Sequence, residues 1–268
     1  AGLLDLTGYS ALTQRLRNYT WKHVIATFKD EDNDTDAGGI LNKLKDIYNN
    51  DSFPSIYTDN LDANMVTGYR RACSLIHIIK DINNKCVAGD FVECGVAAGH
   101  SSVIASLTLK ALGNNDVKLY LYDTYNGFCF DLPDETDINE TPISDYDLDK
   151  YQSEYTTEDA VYKNILQTGL PSSNVNMVKG LVEDTIPDCM PEKISILRLD
   201  VDLYKPTLHC LRHMYPLLQV GGYLIIDDYG HWDGCKKAVD EFFEINNMNL
   251  QDLVEIDYTC RVYLKLDA

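Results

Sequence analysis

From Asp90 onward, short apolar runs alternate with longer stretches of helical spacing. The apolar runs predict strands at 90–95, 117–123, 174–178, 194–201 and 222–227, and the intervening stretches predict helices at 100–112, 155–168, 206–218 and 234–247. Leucine- and β-branched-rich runs of this kind suit strands buried on both faces of a parallel sheet. Strand and helix in alternation imply right-handed crossovers and an α/β domain. Two closing runs, Leu253–Tyr258 and Arg261–Leu266, lie close enough to pair as a hairpin, which puts an antiparallel strand at the sheet edge.

Upstream the pattern changes. Helical spacing occurs over Ser10–Phe28, 38–49 and 64–84, and the polar stretch Lys29–Asp36 reads as a loop. The expected organisation is a helical cap or lid over 1–60 and one α/β domain over 61–268. Segment 124–154 breaks the rhythm with Asp131, Asp134, Glu135, Asp137, Glu140, Asp145, Asp147, Asp149 and Glu154 against Lys150 alone. It follows a strand end, so it overhangs the ligand edge as a lid or as a solvated acidic loop.

Composition narrows the partners. A net charge of −19, from 42 acidic and 23 basic residues, argues against nucleic acid, anionic membranes and polyanionic substrates. No stretch reaches the roughly 18 to 20 apolar residues of a membrane span. Ala1-Gly-Leu-Leu-Asp shows no basic-then-apolar leader pattern. The eight cysteines are scattered without a CxxC pair, as reduced thiols of a cytoplasmic protein would be.

Candidate chemistry gathers at strand ends. Asp200 and Asp202 close one apolar run, and Asp227 and Asp228 close another. In open α/β sheets the ligand crevice lies outside the carboxyl ends of the strands. Residues two apart in a strand share a face, so Asp200 and Asp202 are expected side by side. Carboxylates converging there repel unless a cation neutralises them, which is how an oxygen site for Mg²⁺ is made. Acids also end strands simply as caps of the following helix.

Three further blocks point to a nucleoside. Asp90-Phe-Val-Glu93-Cys-Gly95-Val-Ala-Ala-Gly99-His-Ser101 is a strand, a glycine turn and a helix start, without the lysine of a phosphate loop. Asp123 ends the next strand, where the ribose hydroxyls of an adenosyl ligand are held. Gly180 and Leu181 follow the third strand, beside a bound purine. His231, with Tyr229 near it, follows the second acidic pair and is placed to touch substrate. His209 and His213 have a zinc-compatible spacing but sit among Leu208, Cys210, Leu211 and Met214, so they read as core or surface histidines.

These blocks, in this order, resemble the macrocin O-methyltransferase (TylF-like) family of S-adenosylmethionine-dependent sugar O-methyltransferases. Gly89-Asp-Phe-Val-Glu-Cys-Gly-Val, Asp123-Thr-Tyr-Asn-Gly, Leu197-Arg-Leu-Asp-Val-Asp-Leu-Tyr and Gly221-Gly-Tyr-Leu-Ile-Ile-Asp-Asp-Tyr carry the likeness. It implies a Rossmann-like class I methyltransferase fold with a mostly parallel seven-stranded sheet. It implies Mg²⁺ on Asp200, Asp227 and Asp228, with Asp202 as general base. Glu93, Gly95, Gly99 and Ser101 would shape the cofactor turn, Asp123 would hold ribose, and Gly180 and Leu181 would flank adenine. Asn64-Met65 matches a family Thr-Met step over the cofactor, with Asn in place of Thr. The acceptor would be a sugar hydroxyl of a natural product or polysaccharide, and the N-terminal helices would mediate a homodimer. The competing enzyme class is a metal-dependent glycosyltransferase using the Asp-x-Asp pair, which leaves the glycine turn and Asp123 without a role.

Overall fold

The computed structural model describes residues 38–40, 43–44, 46–47, 66–128, 132–148 and 156–266. The predicted helix at Ser10–Phe28, most of the cap over 1–60, and Asn64 and Met65 lie outside these residues. The elements are α1 (Val66–Lys85), β1 (Asp90–Cys94), α2 (His100–Ala111), β2 (Leu119–Asp123), α3 (Glu158–Gln167), β3 (Val175–Lys179), α4 (Val182–Thr185), β4 (Ile194–Leu199), α5 (Tyr204–Met214), β5 (Leu218–Ile226), α6 (Asp233–Ile245), β6 (Val254–Glu255) and β7 (Arg261–Leu264).

Seven strands form one sheet in the order β3-β2-β1-β4-β5-β7-β6. The first five pair in parallel, while β7 runs antiparallel to both β5 and β6. The closing hairpin is therefore present, with β7 beside β5 and the two-residue β6 outside it. Central β4 is buried at all six positions, with Ser195 and Arg198 among its apolar residues.

Helices cover both faces. Thr207, Leu208, Cys210, Leu211 and Met214 of α5 face Cys235, Ala238, Val239, Phe242 and Phe243 of α6, at the three- and four-residue spacing of an amphipathic helix. All of these except Thr207 join Val92, Leu197, Leu199, Leu224 and Ile226 in one core cluster. On the other face α1 packs on α2, and α2 on α3.

Two of the boundaries that differ from the sequence pattern have a clear physical cause. Helix α5 stops at Met214 rather than near 218, because Pro216 lacks the N–H that an α-helix needs and a 3-10 turn follows over Tyr215–Leu217. Strand β5 begins at Leu218 rather than 222. Leu-Gln-Val-Gly-Gly looks like a turn, but Gly221 N–H donates to the Lys265 carbonyl (2.7 Å) and Lys265 N–H to that of Gly222 (2.9 Å). Pairing with a distant strand overrides local propensity here.

The strand order reverses direction in sequence at β1, which lies between β2 and β4. That switch point opens the crevice that positions the site.

Candidate active site

A cavity of about 750 Å³ lies at this crevice. Its lining includes Glu93, Gly95, Ser101, Asp123, Gly180, Leu181, Asp200, Asp202, Asp227, Asp228 and His231. The structure thus brings together residues from the ends of β1, β2, β3, β4 and β5. Gly99 caps α2 behind the cavity, with Val161 of α3 in the space a side chain would need. Tyr229 is turned away from it: its hydroxyl donates to Asp240 (2.7 Å), and Lys236 and Arg261 lie over its ring. The His209 and His213 rings stack 4.4 Å apart, and neither lines the cavity.

The glycine turn after β1 exists for a steric reason. A side chain on Gly95 would place its Cβ 1.7 Å from the Asp200 carbonyl oxygen, and the residue has φ of 83°. Asp123 organises the same turn, since its Oδ2 accepts from Val96 N–H (2.6 Å) and Ala97 N–H (2.9 Å). Its Oδ1 accepts from Tyr125 N–H (2.7 Å). Three of the roughly four acceptor positions of this carboxylate are thus used on backbone. Asp123 shapes the turn as much as it offers itself to a ligand.

Asp200 and Asp202 are arranged differently from two alternate positions of a strand. Strand β4 ends at Leu199, and Asp200 N–H still reaches the Cys94 carbonyl (2.8 Å). Asp202 has φ of 60°, and Leu203 N–H donates back to the Val201 carbonyl (2.5 Å). A tight γ-type turn, not strand periodicity, presents Asp202. From there its N–H donates to Asp228 Oδ2 (3.2 Å).

Asp200, Asp227 and Asp228 each offer a carboxylate oxygen within 4.8 Å of the others. Two guanidinium groups thread this cluster. Arg198 Nη1 lies 2.8 Å from Glu93 and 2.7 Å from Asp200, while its Nη2 lies 2.8 Å from Asp227. Arg71 donates to Asp227 (2.5 Å) and forms an ion pair with Asp257 of the β6–β7 turn, its Nε lying 3.0 Å from Oδ2. Against the burial that would raise it, Arg198 and Arg71 hold the Asp227 carboxyl below its ordinary range.

The remaining acids are not balanced in this way. Burial, then the charges of Asp202, Asp200 and Asp227, push the Asp228 carboxyl well above its usual range. Burial and the neighbouring Asp200 lift Asp202 to about 7. Burial lifts Glu93 to about 7 as well, against the pull of Arg198 and a hydrogen bond from Ser102. A hard divalent cation fits this donor set: carboxylate oxygens converge, and two guanidiniums leave negative charge over.

Sequence reasoning assigned no role to Arg198, Arg71 or Asp257. Arg198 did carry a signal, because a charge inside an otherwise buried strand needs partners. Arg71 and Asp257 carried none, being brought in by helix and hairpin packing. Tyr146, Trp232 and Tyr258 also line the cavity and form an aromatic wall with His231. The Tyr146 and Trp232 ring centroids are 5.1 Å apart, and those of His231 and Tyr258 are 6.2 Å apart.

The family model of macrocin O-methyltransferases (TylF) matches residues 47–265. The chain belongs to the macrocin O-methyltransferase family. It is an S-adenosylmethionine-dependent O-methyltransferase, and the match does not favour a glycosyltransferase. A mycinamicin III 3''-O-methyltransferase from Micromonospora griseorubida is 31% identical over 198 residues, covering 73% of this chain and 76% of that protein. A demethyldecarbamoylnovobiocin O-methyltransferase from Streptomyces niveus is 30% identical over 182 residues, 68% of each chain. Among solved structures, the O-methyltransferase NovP is similar with a TM-score of 0.63 at 28% identity, over 74% of this chain and 80% of that one. The calicheamicin methyltransferase CalS11 shares the fold, with a TM-score of 0.59 at 17% identity over 88% of this chain and 95% of that one. Among the described residues no helix is long and apolar enough to cross a membrane.

Proposed function

We propose that this family member methylates a sugar hydroxyl of a natural product or polysaccharide, with Asp202 as general base and a divalent cation on Asp200, Asp227 and Asp228. The observation that carries the reading is the convergence of those three carboxylates within 4.8 Å, in the cavity that also holds the glycine turn and Asp123. Relatives named for mycinamicin III, demethyldecarbamoylnovobiocin and a dimethoxy-rhamnosyl tetracenomycin support a sugar-bearing acceptor.

In this mechanism the Gly95 turn receives the cofactor, Asp123 accepts from the ribose hydroxyls, and Gly180 with Leu181 flanks adenine. The aromatic wall of Tyr146, Trp232, His231 and Tyr258 packs against the acceptor and excludes water. Asp200, Asp227 and Asp228 would hold the cation, which would supply Lewis acidity to make the acceptor hydroxyl more acidic. Asp202 takes the hydroxyl proton as the oxygen attacks the methyl carbon. The carbon–sulfur bond breaks with its electrons left on sulfur, giving S-adenosylhomocysteine and the methyl ether. Because the sulfonium is already activated, the protein chiefly aligns oxygen, carbon and sulfur.

The test is calorimetry with S-adenosylhomocysteine and with a nucleoside diphosphate, followed by methyl transfer to mycinamicin III and demethyldecarbamoylnovobiocin with and without EDTA. Binding of S-adenosylhomocysteine alone, and EDTA-sensitive methylation of a sugar acceptor, are expected. Nucleoside diphosphate binding without S-adenosylhomocysteine binding would overturn the reading.

A further inference from the structure

We propose that Glu135, on the acidic segment between β2 and α3, is a positioning residue that holds the Asp202 turn in place through the first amide of α5. The proposal rests on the reading of Asp202 as general base.

Asp202 stands in the left-handed region at φ 60°, inside a turn closed by the Leu203 N–H to Val201 carbonyl bond. A non-glycine residue there is strained and persists only where its surroundings over-determine it. The turn runs straight into α5, whose N-cap, Leu203, has no side-chain acceptor to offer. The first N–H groups of a helix need partners from elsewhere. Glu135 supplies one from 69 positions away, with its Oε2 accepting from Tyr204 N–H at 3.0 Å. A carboxylate is also the right charge for a helix N-terminus.

A second observation, independent of that bond, concerns α6. A Cβ at Gly234 would lie 1.6 Å from Glu135 Oε2 and 2.8 Å from Tyr204 N. Glycine is not a favoured helix residue, so its place in the first turn of α6 calls for a steric reason. Gly234 is the vacancy in which the Glu135 carboxylate sits, so two separate segments are shaped around one contact.

The segment carrying Glu135 is built to stay put. The Glu135 carbonyl accepts from Ile143 N–H (3.0 Å). Asp137 accepts from the N–H groups of Asn139 and Thr141 (both 2.8 Å) and from the Tyr146 hydroxyl (2.7 Å). Ile138 N–H donates to the His231 carbonyl (2.9 Å), and Asp233 N–H to that of Thr136 (3.2 Å). One acidic strap thus touches both turns that bear the cluster, the Asp202 turn through Tyr204 and the Asp228 turn through His231. Some of this segment's acids are internal fasteners rather than solvated charge.

The deciding experiment is hydrogen–deuterium exchange on the peptide spanning Asp200 to Thr207, in Glu135→Ala, Glu135→Gln and Gly234→Ala, with S-adenosylhomocysteine calorimetry on each. Losing this part-buried hydrogen bond predicts exchange faster by up to roughly tenfold in Glu135→Ala and Gly234→Ala. Glu135→Gln keeps an acceptor oxygen and should exchange like wild type, a rescue that loss of charge alone does not predict, while Gly234→Ala leaves the Glu135 side chain whole and so excludes loss of bulk as the cause. S-adenosylhomocysteine affinity should stay within about twofold throughout, since no cofactor-turn residue is altered. Unchanged exchange in both Glu135→Ala and Gly234→Ala would overturn the proposal. Manganese titration of the S-adenosylhomocysteine complexes separates this outcome from the larger reading. No binding by wild type would defeat the cation site while leaving the exchange result to decide Glu135.

Discussion

The backbone N–H of Asp202 donates to Oδ2 of Asp228 at 3.2 Å, tying the turn after β4 to the end of β5. Asp202 is therefore fixed against the acids proposed to hold a cation, and Asp200, on the same turn, is fixed by Arg198. The proposed base and the proposed ligands move as one unit.

Replacing the base should separate chemistry from binding. Asp202→Asn keeps the backbone N–H and nearly the same volume but removes the proton acceptor. Methyl transfer should fall by about 10²- to 10⁴-fold, the usual contribution of a general base. S-adenosylhomocysteine affinity measured by calorimetry should stay within about twofold, because the cofactor turn is untouched. A variant that turns over at the wild-type rate would exclude Asp202 from this role.

The converse is expected of Asp123. Asp123→Asn presents one carbonyl oxygen to backbone N–H groups that now share two carboxylate oxygens. The turn after β1 should loosen, and S-adenosylhomocysteine should bind at least about tenfold more weakly, the equivalent of 1.4 kcal/mol. Manganese affinity, measured by titration of the free protein, should change little.

Glu93 gives the stability of the protein a pH dependence of known sign. Burial lifts its folded value to about 7, above the ordinary 4.5. Its contribution is thus fully present below about 4.5 and is lost as pH rises through 7. Glu93→Gln removes that loss. Chemical denaturation at pH 4.5 and pH 8 should show the variant gaining on wild type by up to roughly 3 kcal/mol over this interval. Parallel stabilities at the two pH values would contradict the placement of Glu93 beside Arg198 in a dry site.

Much of this architecture was legible in the sequence because apolar runs report burial directly. Strand β4 reads as six consecutive core positions, and α6 repeats its apolar residues at helical spacing. The acidic pairs at the ends of β4 and β5 were equally visible, because a charge that ends a buried run must face something other than core. What periodicity could not give was the geometry beyond the strand. The left-handed turn at Asp202 is imposed by contacts with Asp228 and α5, not by its own residue type. Tyr229, adjacent to Asp228, turns toward Asp240 because α6 offers it a hydrogen-bond partner there. The Arg71–Asp257 contact joins residues 186 positions apart, and no local pattern announces it.

That last contact carries its own prediction. Arg71→Ala leaves Asp257, which is 5% exposed, without its cation and removes one of two guanidiniums from Asp227. Arg71 is 32% exposed, so breaking the pair costs about 3 kcal/mol, the low end of the range for buried pairs. For a domain of this size that corresponds to a fall of roughly 6 to 12 °C in Tm, readable by calorimetry. A shift below about 2 °C would mean that the β6–β7 turn is held by other means.

The central claim is that Asp200, Asp227 and Asp228 hold a divalent cation beside the adenosyl pocket. Titration of Mg²⁺ into the S-adenosylhomocysteine complex, followed by calorimetry, tests it most directly. The account predicts one ion per chain in the wild-type protein and at least about tenfold weaker binding in Asp228→Asn. No ion bound by wild type, or equal affinity in the two proteins, would contradict it.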